Sequence, residues 1–220
     1  MTHSAPTAPA STAPLVVLLH GLARTRGSMR GLQRHLEVAG FETWARTYPS
    51  RRVSIAEAAR GLVDRLADDA AGRPLFAVTH SLGGILVRHM ADPRLDWRRI
   101  VMLAPPNRGS HLASRLKESD LFRWFYGPAG LELADPAGWP APPAPFYVIA
   151  GTRRLSIANP TSWTSGAAFP EGEAHDGTVA VSETRLPGME GFVEVDATHT
   201  WIMNDPEARR LTTEWLSAPL

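Results

Sequence analysis

Six short apolar runs punctuate the chain, and most of the stretches between them carry apolar residues at helical spacing. Leu15 to Leu19 (L-V-V-L-L) is continuously apolar rather than alternating, which predicts a strand buried on both faces. Phe41 to Arg46, Leu75 to Thr79, Ile100 to Ala104, Phe146 to Ala150 and Phe192 to Val195 are the other predicted strands. Between the first two, Met29, Leu32, Leu36 and Ala39 fall on one helical face, and Gly40 ends that helix. Ser54-x-x-Glu57 is a capping-box pattern ahead of Ile55, Ala59, Leu62 and Leu66. A helix from about Leu82 to Met90 follows the third strand, and one from Pro206 to Leu216 closes the chain, with proline in its first turn. Strands alternate with helices at crossover lengths that suit parallel pairing. The pattern predicts one α/β domain over residues 15–220: a mostly parallel, doubly wound sheet of about six strands with helices on both faces.

The remaining stretches are irregular. Residues 1–14 are rich in Ala, Pro, Thr and Ser and read as a disordered tail. That tail has no basic start and no apolar core, so it is not a secretory signal. His111 to Gly130 is a broken helical region with many large apolar groups, and Asp135 to Pro145 is a proline-rich connector. Residues 152–177 show little periodicity and form an unusually long loop, of the kind that is functional or disordered in compact domains.

Composition narrows the function classes. Lys+Arg number 23 and Asp+Glu 22, so nothing demands nucleic acid or an anionic membrane as partner. There is no cysteine, which removes disulfides, a thiolate nucleophile and Cys-ligated metal sites. No run approaches the length of a membrane span, so no stable membrane insertion is expected, and with Met1 as natural start the expected location is the cytoplasm. No His/Asp/Glu spacing makes a metal site, and no G-x-G-x-x-G or P-loop pattern is present. The chain is expected to work without a cofactor. Its oligomeric state is not legible.

The candidate chemistry centres on Leu75 to Gly84 (L-F-A-V-T-H-S-L-G-G). A strand that turns through x-Ser-x-Gly into a helix is a nucleophile elbow, which pushes the serine out at the carboxyl end of a sheet. Small residues must flank it, and Gly83 meets that need; Thr79 stands where glycine is commoner. Ser81 then needs a base, and the base a carboxylate to orient it. Of eight histidines, only His199 lies beyond the last strand. The acid belongs after the fifth strand and before the sixth. Asp176, on an Asp-Gly turn, fits best; Asp196 is the competitor, disfavoured because acid and base are drawn from different strand ends. Donors for an oxyanion are expected from the backbone N–H of Leu82, opening the elbow helix, and of Leu22, in the His20-Gly21-Leu22 loop after the first strand.

Together His20-Gly21-Leu22, Thr79 to Gly84, Asp176-Gly177 and His199 resemble the α/β-hydrolase superfamily, and most nearly its small bacterial lipase and esterase branch. Pro105 to Ser110 is similar to a T-P-H-x-G-[ST] loop of many lipases, with Pro106 and Asn107 in place of the usual Pro-His pair; the two leading strands of larger members are missing. The resemblance implies hydrolysis of a small-molecule acyl ester through an acyl-enzyme, with Ser81 as nucleophile, His199 as general base and then acid, and Asp176 as orienter. Acyl transfer or thioester cleavage by the same three residues, and a non-catalytic hydrolase-like binding protein, are the alternatives.

Substrate contacts are expected from His20, Gly21, Asn107, Phe122, Trp124 and Trp201. Residues 111–135 are expected to form a small lid or an acyl-binding segment, with packing against the far face of the sheet as the equal alternative. His20 is read chiefly as a brace for the oxyanion loop, His80 as structural, His175 as a surface loop residue, and Arg51 and Arg52 as a solvated pair.

Overall fold

The computed structural model describes residues 13–154, 169 and 171–219. The side chains of residues 121–123 and 125 lie outside the description, as do Trp163 and most of the predicted tail and long loop. Six strands form one parallel sheet: β1 (Leu15–Leu19), β2 (Glu42–Ala45), β3 (Pro74–His80), β4 (Asp96–Leu103), β5 (Phe146–Gly151) and β6 (Gly191–Val195), in the order β2-β1-β3-β4-β5-β6. The helices are α1 (Arg30–Val38), α2 (Ile55–Ala70), α3 (Leu82–Arg88), α4 (His111–Leu116), α5 (Asp120–Glu132), α6 (Val181–Thr184) and α7 (Pro206–Ser217).

Two hydrophobic cores flank the sheet, as the continuously apolar strands require. On one face Val17, Leu19, Ala77 and Met102 pack with residues of α2 and α3. On the other Val16, Leu18, Val78 and Val101 pack with residues of α1 and α7. The chain runs outward from β1 to β2, then returns to the opposite side of β1 for β3. The switch point between β1 and β3 is where parallel sheets of this type open a crevice at the strands' carboxyl ends. It holds both the His20-Gly21-Leu22 loop and Ser81.

The structure extends one predicted strand, β4, and adds a short helix that the pattern did not predict, α6. β4 starts at Asp96, four residues ahead of its apolar run, because backbone pairing with Pro74 and Leu75 outweighs the polar side chains. A shift of register lets Arg98 turn outward while Trp97 and Arg99 are buried. The run Thr178 to Val181 makes only an isolated bridge, between His175 and Ala180, and then enters the short helix α6.

Candidate active site

Ser81 sits between β3 and α3 with φ 53° and ψ −122°, a conformation costly for a residue with a side chain. Its N–H donates to the Leu103 carbonyl at 2.9 Å, which fixes the turn to β4. Close approach explains the flanking glycines. A Cβ on Gly83 would lie 2.5 Å from the Leu19 carbonyl oxygen, and one on Gly21 would lie 3.2 Å from Ser81 Cβ. The loop after β1 is thus packed directly on the elbow. Thr79 is tolerated as a fully buried residue within β3.

Ser81 Oγ is 2.9 Å from His199 Nε2, and His199 Nδ1 is 2.7 Å from Asp176 Oδ2. With Nδ1 donating to the carboxylate, Nε2 of a neutral ring is left to accept from the serine hydroxyl. Asp176 is held as firmly as the ring it holds. Its Oδ1 accepts from the N–H groups of Thr178 (3.0 Å) and Val179 (2.8 Å), and its carbonyl accepts from the His199 N–H at 2.9 Å. Gly151, at the end of β5, leaves the room: a Cβ there would meet Asp176 Cβ at 2.8 Å. Asp196 is turned to the surface, where both its oxygens bind Arg153 at 2.7 and 3.0 Å.

His20 and His80 brace this arrangement from below. His20 stacks on Tyr48, donates from Nδ1 to the Gly21 carbonyl at 2.8 Å, and its own carbonyl accepts from the Tyr48 hydroxyl. Burial pushes its pKa down to about 4. His80 Nε2 donates to the His199 carbonyl at 2.9 Å, and burial, helped by the nearby His199 and Arg24, holds the His80 ring well below its usual range. Both rings therefore stay neutral supports at neutral pH.

The serine opens into a cavity of about 320 Å³. Its apolar wall includes Leu22, Leu112, Ala113, Tyr126, Leu133 and Val179. Segment 111–135 thus contributes directly to the cavity, through Leu112 and Ala113 of α4, Tyr126 of α5 and Leu133 just beyond it. Gly21 lines the cavity, whereas four other residues expected at the substrate, Asn107, His20, Trp201 and Trp124, do not. Asn107 is turned inward: its amide donates to the Thr184 carbonyl at 2.8 Å, and its carbonyl accepts from Arg88. His20 lies beneath the loop, and Trp201 is half exposed. Trp124 is 75% exposed and borders a separate groove. The Phe122 side chain lies outside the described residues. His175, read from sequence as a surface residue, is buried; it stacks on Phe169 and its Nδ1 accepts from the Gly177 N–H at 3.1 Å, shaping the turn that carries Asp176.

Three contributors escape the sequence pattern. Glu183 is buried, and its carboxylate caps two segments at once, accepting from the Ala180 N–H at 2.6 Å and from the His111 N–H that opens α4. Burial raises its pKa. Arg88 threads three carbonyls, those of Asn107, Trp139 and Pro140. Arg24 lines the cavity beside the serine. An aspartate before Gly signals its turn in sequence, but nothing local marks these three. Among the described residues, no group of three or more His, Asp and Glu side chains is arranged to hold a metal ion, and no helix is long and apolar enough to cross a membrane.

No protein-family model and no curated protein sequence matches the chain. Solved structures do. The chain is similar to the mature form of the Bacillus licheniformis lipase BlEst2, with TM-score 0.79 and 16% identity over 97% of this chain and 96% of that one. It is also similar to the metagenomic carboxyl esterase MGS0156 (TM-score 0.62, 19% identity, 98% of this chain and 73% of that). A thermophilic esterase from Thermogutta terrifontis matches with TM-score 0.59 and 15% identity, over 94% of this chain and 90% of that. At these identities the likeness carries the architecture, and that architecture is the α/β-hydrolase fold as small lipases and esterases have it.

Proposed function

We propose that this chain of α/β-hydrolase fold is a serine hydrolase that cleaves carboxylic esters through an acyl-enzyme on Ser81. One observation carries the reading: the unbroken line Ser81 Oγ, His199, Asp176, with gaps of 2.9 and 2.7 Å, at the mouth of an apolar cavity. His199 takes the Ser81 proton as Oγ attacks the acyl carbon. Asp176 keeps the ring in the tautomer that can do so and stabilises the imidazolium that forms. The negative oxygen is received by the N–H groups of Leu22 and Leu82, each such donor being worth about 2.7–4 kcal/mol in the transition state. The acyl C–O bond then breaks, and the alkoxide leaves with the proton held on His199. Water, deprotonated by the same ring, releases the acid. The structurally similar proteins named above, a lipase and two esterases, agree with this class of substrate.

The test is hydrolysis of a p-nitrophenyl ester series by wild type and Ser81→Ala. The variant is expected to lose at least about 10³-fold in kcat while its melting temperature stays near that of wild type. Ester turnover that survives in Ser81→Ala would sink the reading.

A further inference from the structure

The oxyanion loop leads straight into a basic groove. Arg24, two residues after Leu22, lines the cavity beside Ser81 and also borders an adjoining groove of about 740 Å³. Arg51, Arg52, Arg65 and the exposed Trp124 line the same groove, and no carboxylate does among the described residues. Several other surface arginines are matched to acids, among them Arg46 to Asp69, Arg98 to Asp96, Arg153 to Asp196 and Arg210 to Glu207. Arg26, Arg30, Arg34, Arg60 and Arg108 are exposed without an ion pair among the described residues, but none of them lines this groove. Asp64, next to Arg65 in sequence, is taken by Arg94 at 3.0 Å. The guanidinium groups of Arg24, Arg52 and Arg65, by contrast, make no hydrogen bond or ion pair among the described residues.

Arg24 is the informative member. It is half-buried, and burial draws its pKa down, so the fold holds a cation partly out of water with no counter-charge on it among the described residues. Its loop is also rigidly set. The Ala23 N–H donates to Ser50 Oγ at 3.1 Å, and the Tyr48 hydroxyl donates to the His20 carbonyl. Across the groove, α5 kinks at Gly127 (φ 64°), where any Cβ would strike the Arg51 carbonyl. Guanidinium groups gathered on one groove, one of them carried by a fixed loop, suit a phosphate, whose several oxygens they can bind as a fork.

We propose that Arg24, with Arg52 and Arg65, holds a phosphate group carried on the alcohol side of the substrate, so that the preferred ester is an acyl ester of a phosphorylated alcohol. This rests on the ester-hydrolase reading of Ser81. The acyl chain occupies the apolar cavity and the phosphate the groove. Only the acyl C–O bond breaks; the phosphorylated alkoxide leaves with the proton from His199, and the P–O bonds are untouched.

The experiment compares kcat/KM for monobutyrylglycerol and for its phosphate ester, both water-soluble. The phosphate ester is expected to be preferred by at least about tenfold, with the preference largely lost in Arg24→Gln and reduced in Arg52→Gln. Equal kcat/KM in wild type, or a preference that neither variant changes, would overturn the proposal. A third substrate, monooleoylglycerol phosphate in phosphatidylcholine vesicles, separates the sources. Faster turnover there assigns the phosphate to a lipid, and faster turnover of the butyryl compound assigns it to a free ester; both uphold the phosphate site. Hydrolysis of neither butyryl compound would count against the ester reading itself. Calorimetry with glycerol phosphate and wild-type protein then decides the groove independently: binding weakened by Arg24→Gln upholds it, and no binding overturns it.

Discussion

At the scale of single residues, the site turns on which carboxylate holds His199. Asp176 is buried, accepts two backbone N–H groups on one oxygen and the imidazole on the other; Asp196 is spent on Arg153 at the surface. Asp176→Asn should therefore lower kcat by about 10⁴-fold, because an amide can hold the ring in the wrong tautomer. Asp196→Asn should leave ester turnover close to wild type. Steady-state kinetics on the two variants checks both, and the reverse ranking would reassign the acid. Ser81 and His199 were legible as positions because each stands a short way past a predicted strand, whereas Asp176, far beyond the fifth strand, followed from chain order and its Asp-Gly turn. Asn107 was misread for the opposite reason. Its loop has the right address, but its side chain faces the interior, where its Oδ1 accepts from Arg88 and its Nδ2 donates to the Thr184 carbonyl. That outcome depends on packing between distant segments. The same is true of Arg24, whose lack of a side-chain partner among the described residues is visible only once the neighbouring carboxylates are placed.

At the scale of elements, the strands were legible where continuous apolar runs marked them, and less so where backbone pairing acts without that signal. β4 shows the difference. Its first four residues are mostly polar, yet Arg99 within them is buried over Phe76 and Trp215 and caps the end of α7. Its guanidinium donates to the carbonyls of Trp215, Leu216, Ala218 and Pro219 at 2.7 to 3.2 Å. A cation at a helix C-terminus satisfies carbonyls that have no partner within the helix. Arg99→Leu should cost about 3 kcal/mol or more in urea unfolding, since buried acceptors are left unpaired. A loss within about 0.5 kcal/mol would mean that the cap contributes little. The short helix α6 had no legible signal, because four residues are too few to show a helical period; it is held by its own Glu183, which reaches back to the Ala180 N–H, and by the turn that carries Asp176.

At the scale of the whole molecule, the doubly wound sheet places the β1 loop and the β3 elbow at one switch point, and the neutral histidines beneath them tie the site to global stability. His20 has a folded pKa near 4 against an ordinary 6.5, mainly through burial, and burial also keeps the His80 ring from charging. Above about pH 6.5 these rings are neutral in the folded and the unfolded chain, and their contribution is fully present. As pH falls from there toward 4, the unfolded chain takes up protons that the fold refuses, so stability declines; His20 alone accounts for roughly 3 kcal/mol across that window. Thermal melts between about pH 4.5 and 7 should show this slope, and His20→Gln should flatten it. An equally steep slope in the variant would remove His20 from the explanation.

Labelling with a fluorophosphonate, followed by mapping of the modified peptide, asks whether the fold has made Ser81 a nucleophile. The expected result is a single adduct on Ser81 in folded protein, absent from Ser81→Ala and strongly reduced in Asp176→Asn. A folded sample that stays unlabelled, or that carries its label on another residue, would contradict the assignment of Ser81, His199 and Asp176 as an active set.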